Sequence, residues 1–345
     1  MSPRNKSKRT SKVETMNEVK PMGRMKCPLI LDTKDVFFSL VDYRNSRFTS
    51  DDLDKIIEFY DSFPTREDLI EWMRERPNGV AKIYEVDGDK DIIVVIPTSD
   101  FNGKYARECR DNIFKGLHMV FVESGGKGDF YFNFAYNVNA GVKKALEYNP
   151  KWIVHCKEDM KAISPPKVLK EELMTFNNSD KHAILVKDNP EVSTNMYVAK
   201  RTLLTKFLDF YNKVRSPYYL KELSILHKFK NKYYFIRKNR SSIFYRKIID
   251  FTIAGAFCCY NRTYCESVKG ELFDESLGTT TEDIKLGMLL TSNAKSYSFF
   301  RKYDIENPGA NLLGRTVARE FRNLSGHIAL DYQLHNKSEF EALLK

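Results

Sequence analysis

Two pairs of acids stand where a chain most readily does chemistry. Glu158-Asp159 follows directly on the apolar run Trp152-Ile-Val-His-Cys156. Carboxylates at the mouth of a buried strand suit a hard divalent cation. Mg²⁺ commonly takes one or two of them and completes its shell with substrate phosphates. The same acids also suit a helix start, where the macrodipole favours negative charge. Glu282-Asp283 follows Thr280-Thr281 and opens a helical stretch. A carboxylate there can take a proton from a hydroxyl within hydrogen-bond reach, or it can simply cap the helix. Asp100 and Glu123 likewise lie just past apolar runs. His155 sits inside a strand and reads as a core histidine. His327 and His335 suit either a phosphate or the surface. Gly125-Gly126-x-Gly128 lacks the GxGxxG spacing, and neither GxxxxGK[ST] nor GxSxG occurs. A dinucleotide fold, a phosphate loop and a serine hydrolase are therefore unsupported.

These residues need elements to hold them. Residues 92–96 are a continuous β-branched run closed by Pro97. Residues 119–122 and 152–156 are similar runs. A strand apolar on both faces belongs inside a parallel sheet. Helices are expected over about 105–115 and 137–146, between those strands. The alternation gives an α/β fold with a mostly parallel sheet flanked by helices. Ligands of such sheets bind beyond the carboxyl ends of the strands. Further strands are expected at 183–187 and 251–260, and further helices at 200–213 and 282–290. Upstream, residues 50–76 read as two short helices. Ser50 is expected to cap the first, and Thr65 with Asp68 the second, with Pro77-Asn78-Gly79 as the stop.

The chain has 345 residues, 42% of them apolar and 30% charged, with a net charge of +10. That composition is globular. No apolar run reaches 18 residues, and no signal-peptide stretch opens the chain, so a cytoplasmic setting is expected. Six cysteines without a CxxC pair fit a reduced compartment and argue against zinc. The charge is uneven. Residues 1–26 hold eight Lys/Arg against two Glu, and residues 213–247 hold eleven against Glu222 alone. The first segment reads as a disordered basic tail over 1–25. The second also carries Tyr218, Tyr219, Tyr233, Tyr234, Phe235 and Tyr245. Cations mixed with aromatics suit an interfacial helix on an anionic membrane, or equally a solvated lobe.

Taken in order, five segments resemble the family 2-like glycosyltransferases of GT-A fold. They are Ile92–Thr98 (IIVVIPT), Met119–Gly125 (MVFVESG), Asn133–Gly141 with Ala145, Trp152–Met160 (WIVHCKEDM), and the series Gly255–Cys258, Phe273–Glu275 and Thr281–Asp283 (TED). The likeness covers about residues 91–300. It implies a GT-A domain over 91–300, within which the basic aromatic insertion spans 213–250; outside it, the residues themselves read as a basic tail (1–25), an N-terminal helical extension (26–90) and a C-terminal extension (301–345).

The resemblance also implies roles. Pro97, Thr98, Asp100, Glu123, Asn137, Lys157 and Glu158 would bind a nucleotide-diphosphate sugar. Asp159 would hold Mn²⁺ or Mg²⁺. Asp283 would be the general base, with Glu282 supporting it, and Phe273–Glu275 would lie on the acceptor side. The implied reaction is inverting transfer of a single sugar to an acceptor hydroxyl of a saccharide, a lipid-linked molecule or a protein. Two residues depart from the family pattern. Lys157 replaces the first acid of a DxD, and Glu123 replaces an aspartate. The QxxRW motif of processive members is absent. Nucleic acid is not an expected partner of the enzyme. The alternative is a catalytically silent scaffold of the same fold that binds nucleic acid or protein partners. A nucleotidyltransferase is disfavoured, because Thr98–Gly103 contains no arginine.

Overall fold

The structure is a computed structural model. It describes residues 13–15, 40–124, 131–177, 179–186, 193–194, 196–200, 233–237, 252–253, 255–278, 281–291, 296–308 and 317–335. Its centre is an eight-stranded sheet. From one edge to the other run β1 (Val13–Thr15), β2 (Lys82–Val86), β4 (Leu117–Glu123), β3 (Asp89–Thr98), β5 (Trp152–Cys156), β12 (Phe257–Asn261), β7 (Ala183–Leu185) and β13 (Tyr297–Phe299). The pairs β4–β3, β3–β5 and β7–β13 are parallel. Strands β2 and β12 run against both of their neighbours, so the other six point one way. The fold is therefore mixed α/β with a mostly parallel sheet, as the sequence implies. Three short ladders complete the described strands: β6 (Lys161–Ala162) with β14 (Ile305–Glu306), β8 (Ser193–Thr194) with β11 (Thr252–Ile253), and β9 (Met196–Lys200) with β10 (Tyr233–Arg237).

Strand β3 explains the two layers of the core. Its side chains alternate between faces. Ile92, Val94 and Ile96 enter one cluster with α4 (Lys104–Glu108), the π-helical turn Cys109–Ile113 that continues it, and α6 (Pro166–Thr175). Ile93 and Val95 enter the other with α5 (Phe134–Leu146), α7 (Arg262–Ser267) and α8 (Glu282–Thr291). Helix α5 comes unusually close to the sheet. A Cβ on Gly141 would lie 2.4 Å from Val95 Cγ1 and 3.0 Å from Val122 Cγ2. Only hydrogen fits there.

A third cluster joins the two ends of the chain. It is built from α2 (Leu53–Asp61), α3 (Arg66–Glu75) and α9 (Val317–His335), with Leu277. The buried Tyr60 hydroxyl donates to the Phe321 carbonyl at 2.5 Å. Arg322 Nη1 donates to the Ser50 carbonyl at 2.6 Å. A shorter helix, α1 (Leu40–Phe48), lies against α2: its Arg47 Nε bonds Glu58 Oε2 at 3.1 Å. On the opposite side of the sheet, Glu172 of α6 accepts the backbone N–H groups of Arg301, Lys302 and Tyr303 at 2.6–2.9 Å. One buried carboxylate thus shapes the turn leading to β14.

Several expectations need correction. The segment taken as a helical extension contains β2, and the strand expected from 92 begins at Asp89. Lys82-Ile-Tyr-Glu-Val86 alternates, as a strand with one covered face does. Residues 13–15, expected to be unstructured, pair with the open edge of β2. Asp52, not Ser50, caps α2: its side chain accepts from Asp54 and Lys55 N–H, while Ser50 Oγ accepts from Asp52. The Thr65/Asp68 capping box is present. Helix α5 starts at Phe134 rather than 137, because Asn133 caps it by accepting from Tyr136 N–H. The strand expected at 251–260 is two strands, β11 and β12. Residues 233–237 are extended, so this part of the basic insertion is not helical. The glycine cluster 125–128, the helix expected at 200–213 and the rest of 213–250 lie outside the described residues, apart from Lys200, the last residue of β9. Among the described residues, no helix is long and apolar enough to cross a membrane.

The Gly141 contact gives a direct test. Alanine adds ~1 kcal/mol of helix propensity, but overpacking a stiff valine costs ~1–3 kcal/mol. Gly141→Ala is therefore expected to lower the melting temperature. Adding Val95→Ala should return part of the loss, giving a favourable coupling in a double-mutant cycle read by thermal denaturation.

Candidate active site

Topology gathers the acids. Thr98 ends β3 and pairs with Glu123 at the end of β4. Strand β5 ends alongside at Cys156. Because β12 is antiparallel to β5, its start abuts that end: Phe257 is opposite Cys156, and Lys157 N–H donates to the Ala256 carbonyl at 2.8 Å. Thr98, Glu123, Lys157, Glu158, Asp159 and Gly255 therefore share one rim. Helix α8 adds Asp283, whose Oδ2 accepts the Gly255 N–H at 2.8 Å.

Three of the acids at this rim, Glu158, Asp159 and Asp283, differ in what they touch. Glu158 is committed to the protein. The buried Thr98 hydroxyl donates to its Oε2, and Ser99 donates to its Oε1 through Oγ at 3.0 Å and N–H at 3.3 Å. Burial pushes its carboxyl above the usual carboxylate range, against those hydrogen bonds. Asp159 is 8% exposed, and among the described residues nothing donates a hydrogen bond or an ion pair to its carboxylate. A rim carboxylate that the protein leaves uncommitted can serve as a cation ligand. Asp283 is held at both oxygens, by Gly255 N–H and by Ile284 N–H at 2.8 Å. Burial raises its carboxyl above the ordinary value, opposed by Gly255 N–H and by the positive charge of Lys157. Lys157 itself is half-buried, with Nζ 5.9 Å from the centre of the Phe134 ring.

The other sequence-selected residues fall around this rim. Glu123 Oε2 accepts the Phe101 N–H at 2.8 Å and so fixes the loop after β3. Pro97 is buried inside β3, and Asp100 is exposed and turns its Oδ1 to Asn102 N–H at 2.8 Å. Asn137 is buried in the first turns of α5. Its Nδ2 donates to Ser124 Oγ at 2.6 Å, and its Oδ1 has no partner. Glu282 is buried beside Asp283. His327 is pushed down to about 4 by burial, which argues against a phosphate contact as a cation. The side chain of His335 lies outside the described residues.

Phe273-Asp274-Glu275 is structural in its contacts. Asp274 pairs with Lys285 and accepts from Gln333 Nε2 at 3.3 Å. Glu275 accepts from Asn139 Nδ2 at 3.0 Å and from Asn78 Nδ2 at 3.3 Å. Asn139 also brackets Phe273, donating to its carbonyl at 2.9 Å and accepting its N–H at 3.0 Å. A cavity of about 510 Å³ opens here, lined by Tyr136, Asn139, Lys143, Asp274, Glu275 and Lys285 among others. None of the rim acids lines it.

Sequence reasoning missed the partner of Asp283, which is a backbone N–H 28 residues away. No periodicity signals such a contact. Among the described residues, no cluster of three or more His, Cys, Asp or Glu side chains is arranged to hold a metal ion. The five described cysteines, Cys109, Cys156, Cys258, Cys259 and Cys265, are free and buried. Comparison of the chain with protein-family models, with curated proteins and with solved structures returns no match.

The different commitments of the acids predict opposite mutational effects. Thr98→Val strips a buried carboxylate of its hydroxyl donor and should cost ~1–3 kcal/mol. Asp159→Asn removes a buried charge that pairs with nothing nearby. It should leave stability within ~0.5 kcal/mol of the wild type or raise it. Chemical denaturation of both variants measures the contrast.

Proposed function

We propose that this chain is a glycosyltransferase of GT-A type, transferring a single sugar from a nucleotide-diphosphate donor to an acceptor hydroxyl with inversion. The observation that carries this reading is one rim holding three different groups: the uncommitted buried carboxylate of Asp159, the cation Lys157, and the burial-raised carboxyl of Asp283. A diphosphate donor needs the first two, and an incoming hydroxyl needs the third. The order of the parallel strands, with one reversed strand beside β5, is compatible with this fold type.

Asp159 fits a divalent cation because a single carboxylate with substrate phosphates suffices for Mg²⁺ or Mn²⁺. When bound, such an ion supplies electrostatic stabilisation of the charge that grows on the departing diphosphate. Glu158 is tied to Thr98 and Ser99, so its part is to fix the turn that presents Asp159. Lys157 offers the diphosphate a second positive charge where related enzymes carry an acid. Asp283 takes the proton from the acceptor hydroxyl. The oxygen then bonds the anomeric carbon while the bond from that carbon to the diphosphate oxygen breaks. Glu123, Asn137 and Asp100 frame the donor side. The acceptor is a saccharide, a lipid-linked molecule or a protein. The cationic, aromatic segment 213–247 suits docking to an anionic membrane surface. The second reading is a silent scaffold of this fold. The commitment of Glu158 and the lysine at 157 favour it, since both reduce the acids left for a metal.

Thermal denaturation with UDP, GDP and their sugars, with and without Mn²⁺, tests the donor site. A ligand at ~100 times its dissociation constant adds about 2.7 kcal/mol. The expected result is a metal-dependent rise with one nucleotide that Asp159→Ala abolishes. No rise with any nucleotide in folded protein selects the scaffold.

Once a donor is found, Asp283→Asn should lower kcat by ~10²–10⁴-fold. The base must be ionised, so the rate should fall as pH drops through the Asp283 pKa. Burial puts that limb above the ordinary carboxylate range. A pH–rate profile with an acid limb at the unperturbed aspartate value would refute the assignment.

A further inference from the structure

His155 lies in the middle of β5 with no exposed surface. Its ring meets Phe273 edge-on at 5.3 Å and Phe134 at 5.7 Å, with Tyr260 at 6.4 Å on a nearly parallel plane. An apolar residue would satisfy this cage. The histidine does something else. Its Nε2 is 3.1 Å from the Gly255 carbonyl oxygen. A carbonyl only accepts, so Nε2 carries the proton. Its Nδ1 is then a bare acceptor, and it is buried without a partner. Burial pushes the ring down to about 3, so it stays neutral and keeps this tautomer across the working pH range.

Gly255 is gripped at both ends. Its carbonyl accepts the hydrogen bond from His155 Nε2–H, and its own N–H donates to Asp283 Oδ2 at 2.8 Å. The glycine is also close to that acid: a Cβ here would lie 3.3 Å from Oδ2 and 3.5 Å from the Asp283 Cβ. From these contacts we infer that His155 is a positioning residue: it fixes the Gly255 backbone so that Gly255 N–H aims the Asp283 carboxylate. The inference rests on the proposed role of Asp283 as base, and it assigns the histidine no contact with substrate. It also accounts for the bare Nδ1. The ring is kept for the one contact made by its other nitrogen.

The test uses the full chain and three variants. His155→Leu suits a strand interior and removes the donor. His155→Gln keeps an N–H donor on a side chain of similar reach. Asp283→Asn removes the charged acceptor and identifies the response of the Gly255 amide. That amide proton is followed by NMR, and kcat and KM are measured with the active donor. In His155→Leu, the Gly255 amide resonance should move upfield, in the direction that Asp283→Asn is expected to move it. Its kcat should fall by about 10–100-fold with donor KM little changed, as expected when a reacting group is misaimed. His155→Gln should restore both readouts most of the way. An unchanged Gly255 amide and unchanged kcat in folded His155→Leu would overturn the inference. So would equal losses in the Leu and Gln variants, which would mark a packing role. If no donor supports transfer, the enzyme reading fails. The amide readout then still decides whether His155 holds Gly255 against Asp283.

Discussion

One reversed strand organises the chemistry of this chain. Strand β12 runs backwards between β5 and β7, so its first residues meet the carboxyl end of β5. A parallel strand in that place would present its last residues there, and Gly255 would lie at the far side of the sheet. Reversal places a glycine next to the Lys157–Asp159 turn, with its N–H outside the β5–β12 ladder. Helix α8 can then dock its first turn on that N–H. The pairing is strong enough to set this geometry because β5 and β12 are buried along nearly their whole length.

Burial alone does not separate a structural acid from a chemical one. Glu158, Asp159 and Glu172 are about equally enclosed. Their partners distinguish them. Glu172 spends its charge on three N–H groups of one turn. Glu158 spends its charge on two hydroxyls and an N–H at the end of the neighbouring strand. Asp159 spends nothing on the protein. The low dielectric around all three makes committed pairs rigid and leaves the uncommitted one available to an ion or a ligand.

Much of this could be read from the sequence, for a definite reason. Strands β3, β4 and β5 are covered on both faces, so each appears as an unbroken apolar run ending in a polar cluster. That pattern puts Asp100, Glu123 and the Glu158-Asp159 pair just past strand ends, and the structure has β3, β4 and β5 ending at Thr98, Glu123 and Cys156. Other features are written in no local pattern. Strand β2 alternates and has charged residues, so it passes for a connector. The direction of β12 depends on its neighbours, not on its own composition. The grip of Glu172 on residues 301–303 and of Asp283 on Gly255 joins positions far apart in the chain. His155 reads as filler because a buried histidine and a buried apolar residue occupy the same place in a strand pattern. Its purpose appears only when the atom facing Nε2 is known.

The order of the strands also dictates a timetable. Strands β3, β4 and β5 are neighbours in sequence and can assemble early. The slot beside β5 waits for residues 257–261, about a hundred residues later, and β7 cannot join the sheet until that slot is filled. Contacts so distant along the chain form slowly, because loop closure must precede their reward. A nascent chain that ends before β12 therefore exposes the apolar edge of β5 and lacks both Gly255 and Asp283. The rim is incomplete until residues from the second half of the chain, Gly255 and Asp283, join Thr98 and Asp159 from the first.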